Sequence, residues 1–200
     1  MTDATTLAAT QLARMRGMNR YYHERFFSDI RFTTTLIVGL LSLGFWDIPL
    51  AFLLIPPVAL LGAASTAFDA SYLIFTRHYS EALERHLNAS VGRDVLVAHE
   101  MENRYLFPIN GRKVVTASLN RDFSWFGFMT LLYTALGVVA FCFGLALGWQ
   151  ELFDAGSGWA AAYLVSLGVF LVATVAAGLW WFVMGTGERR LVAVLQGYGE

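Results

Sequence analysis

The sequence predicts an all-α membrane protein with four transmembrane helices that form two antiparallel hairpins. Its composition is the first reason, because 56% of the residues are hydrophobic and only 14% are charged, whereas a soluble domain has about 25% charged residues. The second reason is that four long apolar segments are separated by shorter polar ones. The third is that basic residues are confined to alternate connections. A soluble globular domain is excluded, since it needs far more polar surface.

The four spans are judged against the roughly 20 apolar residues that cross about 30 Å of hydrocarbon as a helix. Three segments reach that length, and the first needs the preceding Phe26, Phe27 and Ile30, with Arg31 reaching back to the interface. The predicted spans are Phe32–Trp46, Leu50–Thr76, Phe123–Gly148 and Trp159–Met184. They divide the chain into an interfacial segment, a first hairpin, a cytoplasmic loop region, a second hairpin and a cytoplasmic tail, which are residues 1–31, 32–76, 77–122, 123–184 and 185–200.

The distribution of basic residues predicts the orientation. All fourteen fall into the segments Arg14–Arg31, Arg77–Arg121 and Arg189–Arg190, and the other two connections contain no lysine or arginine. The positive-inside rule therefore places both termini and the 77–122 region in the cytoplasm. Arginine outnumbers lysine thirteen to one, a bias that favours a bacterial source. We expect a multi-pass protein of the bacterial cytoplasmic (inner) membrane.

Residues 7–31 have the pattern of an amphipathic helix. Apolar residues recur at steps of three or four, and most arginines lie off that stripe. Such a helix can lie at the inner interface among anionic lipid headgroups. It can equally pack on the 77–122 region as a soluble helix, and the sequence favours neither alternative. The stripe consists of Leu12, Met15, Met18, Tyr22 and Phe26.

The 77–122 region is predicted to begin as an extension of the second span. Helical spacing continues through Asn88, and Glu81 and Arg85 form an i,i+4 pair in the favoured order. Further along, Asn110-Gly111 separates Tyr105–Ile109 from Arg112–Thr116. Asn-Gly between apolar runs is typical of a β-hairpin. We therefore expect a helix extension followed by a small hairpin.

The second span carries a polar stripe that is the main candidate site. Its members recur at steps of three and four, so they share one helical face. Asp69 lies near the inner edge of the hydrocarbon, where an ionisable group usually faces a partner or water. Two interpretations stay open. The stripe forms a polar pathway or site, or Asp69 serves helix packing through an ion pair with an arginine such as Arg31 or a hydrogen bond from a tyrosine or threonine. The stripe is Gly62, Ser65, Asp69, Tyr72 and Thr76.

Small residues on the third and fourth spans predict close helix packing. Gly144 and Gly148 form a GxxxG match, and small residues at this spacing let helices approach closely. Packing is favoured over pore lining for these positions, and in the second span Pro56-Pro57 predicts a kink or a broken helix. The helix-packing candidates are Gly137, Gly144, Gly148 and Ser166.

Motifs for catalysis, cofactors and metals are not found in the sequence. No G-x-S-x-G elbow, Gly-rich phosphate loop or Walker motif occurs. His78 and Glu81 share a helical face, and His99-Glu100 could supplement them, but a metal needs three or four convergent ligands. A solvated, salt-bridged helix is therefore favoured there, and no catalytic residue, metal or cofactor is predicted. The sequence favours a protein that is not an enzyme.

Three functions are consistent with these patterns. The first is a homo-oligomeric, channel-like or pore-forming assembly, because four thin helices cannot easily enclose a water path alone. The second is a non-catalytic membrane anchor, sensor or assembly subunit that binds a cytoplasmic protein through residues 77–122. The third is a small lipid-modifying enzyme. The expected partners are membrane lipids, further copies of the chain and the cytoplasmic protein of the second hypothesis. A net charge of −1 gives no reason to expect nucleic acid.

Overall fold

The computed structural model describes residues 3–105 and 125–197. Every regular element in these two ranges is helical, as the sequence predicts. A 3₁₀ helix, Pro49–Leu54, precedes the second long helix, and a π-helix, Leu179–Val183, continues the sixth. The α-helices are α1 Asp3–Trp46, α2 Ile55–Val91, α3 Ala98–Tyr105, α4 Trp125–Leu147, α5 Trp149–Asp154, α6 Ser157–Gly178 and α7 Thr186–Gly197.

Four of these helical segments are long and apolar enough to cross a membrane, as a multi-pass membrane protein requires. They are Ala4–Trp46, Pro49–Val91, Phe128–Leu147 and Ser157–Val183. The arrangement of the spans as two hairpins stays a prediction, as do the domain boundaries. The β-hairpin predicted for residues 105–116 falls outside the described residues, apart from Tyr105 at the end of α3.

The described residues group into two compact units. The first, called the polar unit, comprises the described residues within Met1–Arg25, Asp69–Leu131 and Met184–Glu200. The second, called the apolar unit, comprises Phe26–Phe68 and Leu132–Val183. The apolar unit contains only five of the 29 charged residues of the chain.

Helix α1 is a single uninterrupted helix of 44 residues. It contains no proline, the residue that most often ends or kinks a helix. At 1.5 Å per residue it is about 66 Å long, roughly twice the thickness of the hydrocarbon core. The predicted interfacial segment and the predicted first span are therefore parts of one helix. In the polar unit two members of its apolar stripe, Leu12 and Met15, are buried, each about 5% exposed or less.

The start of α2 explains how the chain accommodates two consecutive prolines. The 3₁₀ helix ends at Leu54, and Pro56 and Pro57 lie in the first turn of α2, where a missing backbone N–H disrupts no intrahelical hydrogen bond. The carbonyl of Leu53 would ordinarily accept from residue 56 or 57, and neither proline has an N–H to donate. The hydroxyl of Tyr163 on α6 donates to this carbonyl instead, at 2.6 Å. The predicted break is therefore a change from 3₁₀ to α-helix.

The core of the apolar unit is built around this 3₁₀ helix. One cluster joins Phe52 and Ile55 to Leu40 of α1 and Ala140 of α4. A second cluster joins Leu53 to Leu152 of α5 and Ala160 of α6, and the partly buried Tyr163 and Leu164 pack against it. The helix therefore contributes both to the α1–α4 side and to the α5–α6 side of the core.

Candidate functional site

The part of the polar stripe that belongs to the apolar unit contacts α1. Ser65 donates a hydrogen bond to Oδ2 of Asp29. Gly62 lies against Thr33, and a Cβ at this position would be 2.5 Å from Cγ2 of Thr33. Because no larger side chain fits without a shift, this glycine serves close helix packing.

The part of the stripe in the polar unit also contacts α1. Asp69 is fully buried, and its Oδ1 lies 3.3 Å from Nε of Arg25. Tyr72 stacks on Tyr22 with ring centroids 4.3 Å apart and planes 10° from parallel. Thr76 is fully buried too, and its hydroxyl lies 3.0 Å from the carbonyl oxygen of Tyr72, one turn earlier in α2.

All five stripe residues thus contact other residues of the same chain. The partner of Asp69 is Arg25, whereas Arg31, which the sequence suggested, donates to the carbonyl of Phe27 at 3.3 Å. The geometry is that of an internal ion pair in a helix interface. A role of Asp69 in a polar pathway or site stays a prediction.

The helix-packing candidates differ in their surroundings. A Cβ at Gly144 would be 2.7 Å from Cβ of Ile55, and one at Gly148 would be 2.6 Å from Cδ2 of Leu53. Gly137 has no such neighbour within 4 Å, and Ser166 is exposed, with its hydroxyl donating to the carbonyl of Ala162 at 2.8 Å. Gly144 and Gly148 therefore serve packing within the chain, while Gly137 and Ser166 lie on open faces.

A second group of charged side chains converges in the polar unit. Nε2 of His99 on α3 lies 3.0 Å from Oε2 of Glu81 on α2. The same carboxylate oxygen lies 3.9 Å from Nδ1 of His78, and Nε2 of His78 lies 3.7 Å from Oε1 of Glu188 on α7. The result is a chain of alternating carboxylates and imidazoles, in the order Glu188, His78, Glu81 and His99.

Two further contacts of α2 lie next to this carboxylate–imidazole chain. Glu84 is buried and forms an ion pair with Arg16 of α1, with 2.7 Å between the guanidinium nitrogen and Oε1. Its Oε2 accepts a hydrogen bond from the backbone N–H of His99 at 3.3 Å. Glu81 and Arg85 form the predicted i,i+4 ion pair at 3.2 Å. Polar contacts to α2 therefore come from α1, α3 and α7.

The turn between α2 and α3 brings His99 to Glu81. The side-chain oxygen of Asn88 accepts the backbone N–H groups of Val95 and Leu96, and its amide nitrogen donates to the carbonyl of Leu96. These three bonds close the segment between Gly92, where φ is +73°, and the start of α3. Helix α3 is thereby turned back along α2.

The chemistry of the carboxylate–imidazole chain is that of proton-dependent ion pairs. Its members are not arranged around one point, because His78 directs opposite ring nitrogens to two different carboxylates. Among the described residues no group of three histidine, cysteine or acidic side chains is placed to hold a metal ion. Glu81 lies beyond the predicted span that ends at Thr76, and the hydrogen bond to His99 lowers the pKa of Glu81.

The sequence predicts that His78 and Glu81 share a helical face, but it does not predict that His99 meets Glu81. Sequence reasoning missed Arg25, Arg16 and Glu188 altogether. Glu188 is the acidic residue of the first turn of α7, an ordinary position for glutamate, so nothing in the sequence connects it to His78. Arg25 had one usable signal, since pairing Tyr22 with Tyr72 brings Arg25 opposite Asp69 on antiparallel helices.

No family model, curated protein or solved structure matches this chain.

Proposed function

We propose that this protein is a non-catalytic anchor of the bacterial inner membrane that presents a cytoplasmic helical body to a protein partner. One observation carries the proposal: α1 and α2, at 44 and 37 residues, are about twice as long as a membrane crossing requires. The excess of each helix lies in the polar unit, where Arg25, Tyr22 and Arg16 of α1 contact Asp69, Tyr72 and Glu84 of α2.

The orientation of this anchor follows from the positive-inside rule. The basic residues cluster in the segments around residues 14–31, 77–121 and 189–190, so both termini and residues 77–122 are assigned to the cytoplasm. The part of the polar unit that lies outside the predicted spans is then the cytoplasmic body.

The α2–α3 turn supplies the surface on which a protein would bind. Val91, Val95 and Met101 are more than half exposed, and Val97 is 39% exposed. Residue 91 lies about 21 Å along the helix axis from Arg77, at 1.5 Å per residue. With α2 leaving the membrane along the membrane normal, that distance places the surface away from lipid and favours a protein as its binding partner. The three hydrogen bonds of Asn88 hold the backbone of the turn in place, which lowers the entropy cost of binding.

Site-specific photo-crosslinking in cells tests this proposal. A photoreactive amino acid at Met101 should give one discrete protein adduct, and the same group at Arg14, an exposed position of α1 in the same unit, should not. The adduct should be lost when Val97→Asp places a charge on the surface. Equal adduct patterns from both positions, or an adduct that is insensitive to Val97→Asp in a correctly folded protein, would refute the anchor.

A homo-oligomeric, channel-like assembly is the second candidate, and the open faces of the apolar unit favour it. A Cβ at Gly39, Gly137 or Gly168 would have no neighbour within 4 Å. In the most apolar 18-residue stretch of each helix, only 6% of the residues of α4 and 11% of the residues of α6 are buried within the chain. Since the polar stripe contacts α1, a water path would be lined between copies. A native mass measurement in lipid nanodiscs decides this: a monodisperse monomer removes the candidate, and a closed ring supports it.

A further inference from the structure

The imidazole of His78 lies between two carboxylates that approach it from opposite edges. Nδ1 is 3.9 Å from Oε2 of Glu81, and Nε2 is 3.7 Å from Oε1 of Glu188. Both distances exceed the roughly 2.7–3.2 Å of an N–H···O hydrogen bond. The ring is therefore close to two acceptors without being bonded to either one.

The protonation state of the ring decides whether these gaps can close. A neutral imidazole carries one N–H, so its other nitrogen presents a lone pair to a carboxylate. A protonated imidazole carries two N–H groups, one directed toward Glu81 and one toward Glu188. Charge-assisted hydrogen bonds of this kind are about 2.7–2.9 Å long. Protonation would thus permit each contact to shorten by about 1 Å.

The groups around His78 come from three helices. From α2 itself, Glu81 and Arg77 act on the ring in opposite directions; from α3, His99 lies on the far side of Glu81; and from α7, Glu188 faces Nε2. The side chain of His78 is 24% exposed, whereas its Nε2 atom is buried. Two carboxylates therefore face one ring that is only partly exposed to solvent.

We propose that His78 is a proton-operated latch that draws α7 onto α2 under mildly acidic conditions. Histidine is the side chain whose ordinary titration falls between about pH 5 and 8. In the arrangement described here, burial lowers the pKa of His78, and the two carboxylates oppose that effect only in part. Shorter contacts to Glu81 and Glu188 favour the charged ring. The closed arrangement thus binds the proton more tightly than the open one, and this difference drives the shift.

The latch is independent of what the polar unit binds. It uses only residues of α2 and α7, with α3 fixing Glu81, and it makes no assumption about a partner or about the number of copies. Its consequence is that the position of the C-terminal helix depends on the proton concentration on the side of the membrane where the polar unit lies.

Distance measurements between spin labels test the latch in the full-length protein in lipid nanodiscs. Cys142→Ser removes the native thiol, and Ala89→Cys on α2 and Val194→Cys on α7 supply two exposed labelling positions. Spectra are compared at about pH 7.5 and about pH 5.5, which bracket the ordinary titration of histidine. We expect the mean distance to change by about 1 Å, with a narrower distribution at acidic pH, because hydrogen bonds replace open gaps.

The control variants separate His78 from general effects of acid. His78→Gln keeps a hydrogen-bonding side chain that cannot be charged, and it should abolish the response. His86→Gln on the exposed side of the same helix should leave the response intact. Glu188→Gln should reduce it even if His78→Gln proves poorly folded. Absence of a response in the parent protein, or a response in His78→Gln and Glu188→Gln that is as large as that of the parent, would overturn the proposal.

Discussion

Arg25 and Asp69 form an ion pair whose two sides differ in their access to solvent. The Asp69 side chain is fully buried, whereas the Arg25 side chain is 45% exposed. The arginine therefore retains part of its hydration, and the carboxylate depends on neighbours within the protein. Because a buried charge without its partner is costly, the two residues are not equivalent targets for mutation.

Removing Arg25 should destabilise the protein more than neutralising Asp69. We expect Arg25→Ala to reduce the free energy of unfolding by about 3 kcal/mol, the lower end of the range for breaking a buried pair, because the guanidinium is half exposed. Asp69→Asn should cost less, since the amide keeps a hydrogen-bonding group, and Asp69→Leu should cost more than Asp69→Asn. Unfolding in mixed detergent micelles measures all three variants.

A surface ion pair on the same helix is the control for this comparison. Arg20 and Glu24 lie 3.0 Å apart with both side chains mostly exposed, so Arg20→Ala should change the stability little. Equal effects of Arg25→Ala and Arg20→Ala would show that the pair with Asp69 contributes nothing special.

The Tyr163 hydroxyl should stabilise the apolar unit through the carbonyl of Leu53. Tyr163→Phe leaves that carbonyl without this donor, and we expect a loss of about 1–3 kcal/mol in unfolding free energy. Pro57→Ala restores a backbone N–H near the same carbonyl, so Tyr163→Phe should cost less in that background. A double-mutant cycle measures the difference, and Tyr133→Phe on α4 is the matched hydroxyl deletion. Strict additivity of the two changes would argue against the shared acceptor.

Substitutions of Gly144 and Gly137 should have different effects. Gly144→Leu should destabilise the fold itself, because even a Cβ there would be 2.7 Å from Ile55. Gly137→Leu has room, so it should leave the monomer stable and disturb only contacts between copies, if such contacts use α4. Thermal stability and native mass are compared for the two variants. A Gly137→Leu protein that unfolds as readily as Gly144→Leu would contradict the open face.

Cysteine labelling should report the predicted topology. In a Cys142→Ser background, Ser157→Cys should react with an impermeant thiol reagent added to intact cells, and Ser118→Cys should react only after lysis. The reason is that residue 118 belongs to a loop region rich in basic residues and residue 157 to a connection that has none. The reverse labelling pattern would refute the assigned orientation and with it the cytoplasmic location of the polar unit.

The sequence predicts those features that depend on the order of apolar and charged residues along the chain. Four apolar helices, the extension of α2 beyond Thr76 and the burial of Asp69 follow from periodicity and from the cost of exposing a charge to lipid. The partner of Asp69 did not follow, because it depends on the register between α1 and α2. The meeting of His99 with Glu81 depends on how Asn88 closes a turn, and helical periodicity within α2 contains no information about that.

The two prolines at the start of α2 have an effect beyond changing the helix type. In a membrane, apolar helices attract one another only weakly and without directional preference, so their pairing must be specified by features that few positions offer. Pro56-Pro57 creates such a feature by leaving one carbonyl oxygen without a backbone donor, and Tyr163 matches it. A shift of α6 by one residue would rotate the hydroxyl by about 100° and lose the bond. The two prolines thus favour the association of α6 with the start of α2, and they favour the rotation of α6 about its axis that brings Tyr163 to the free carbonyl.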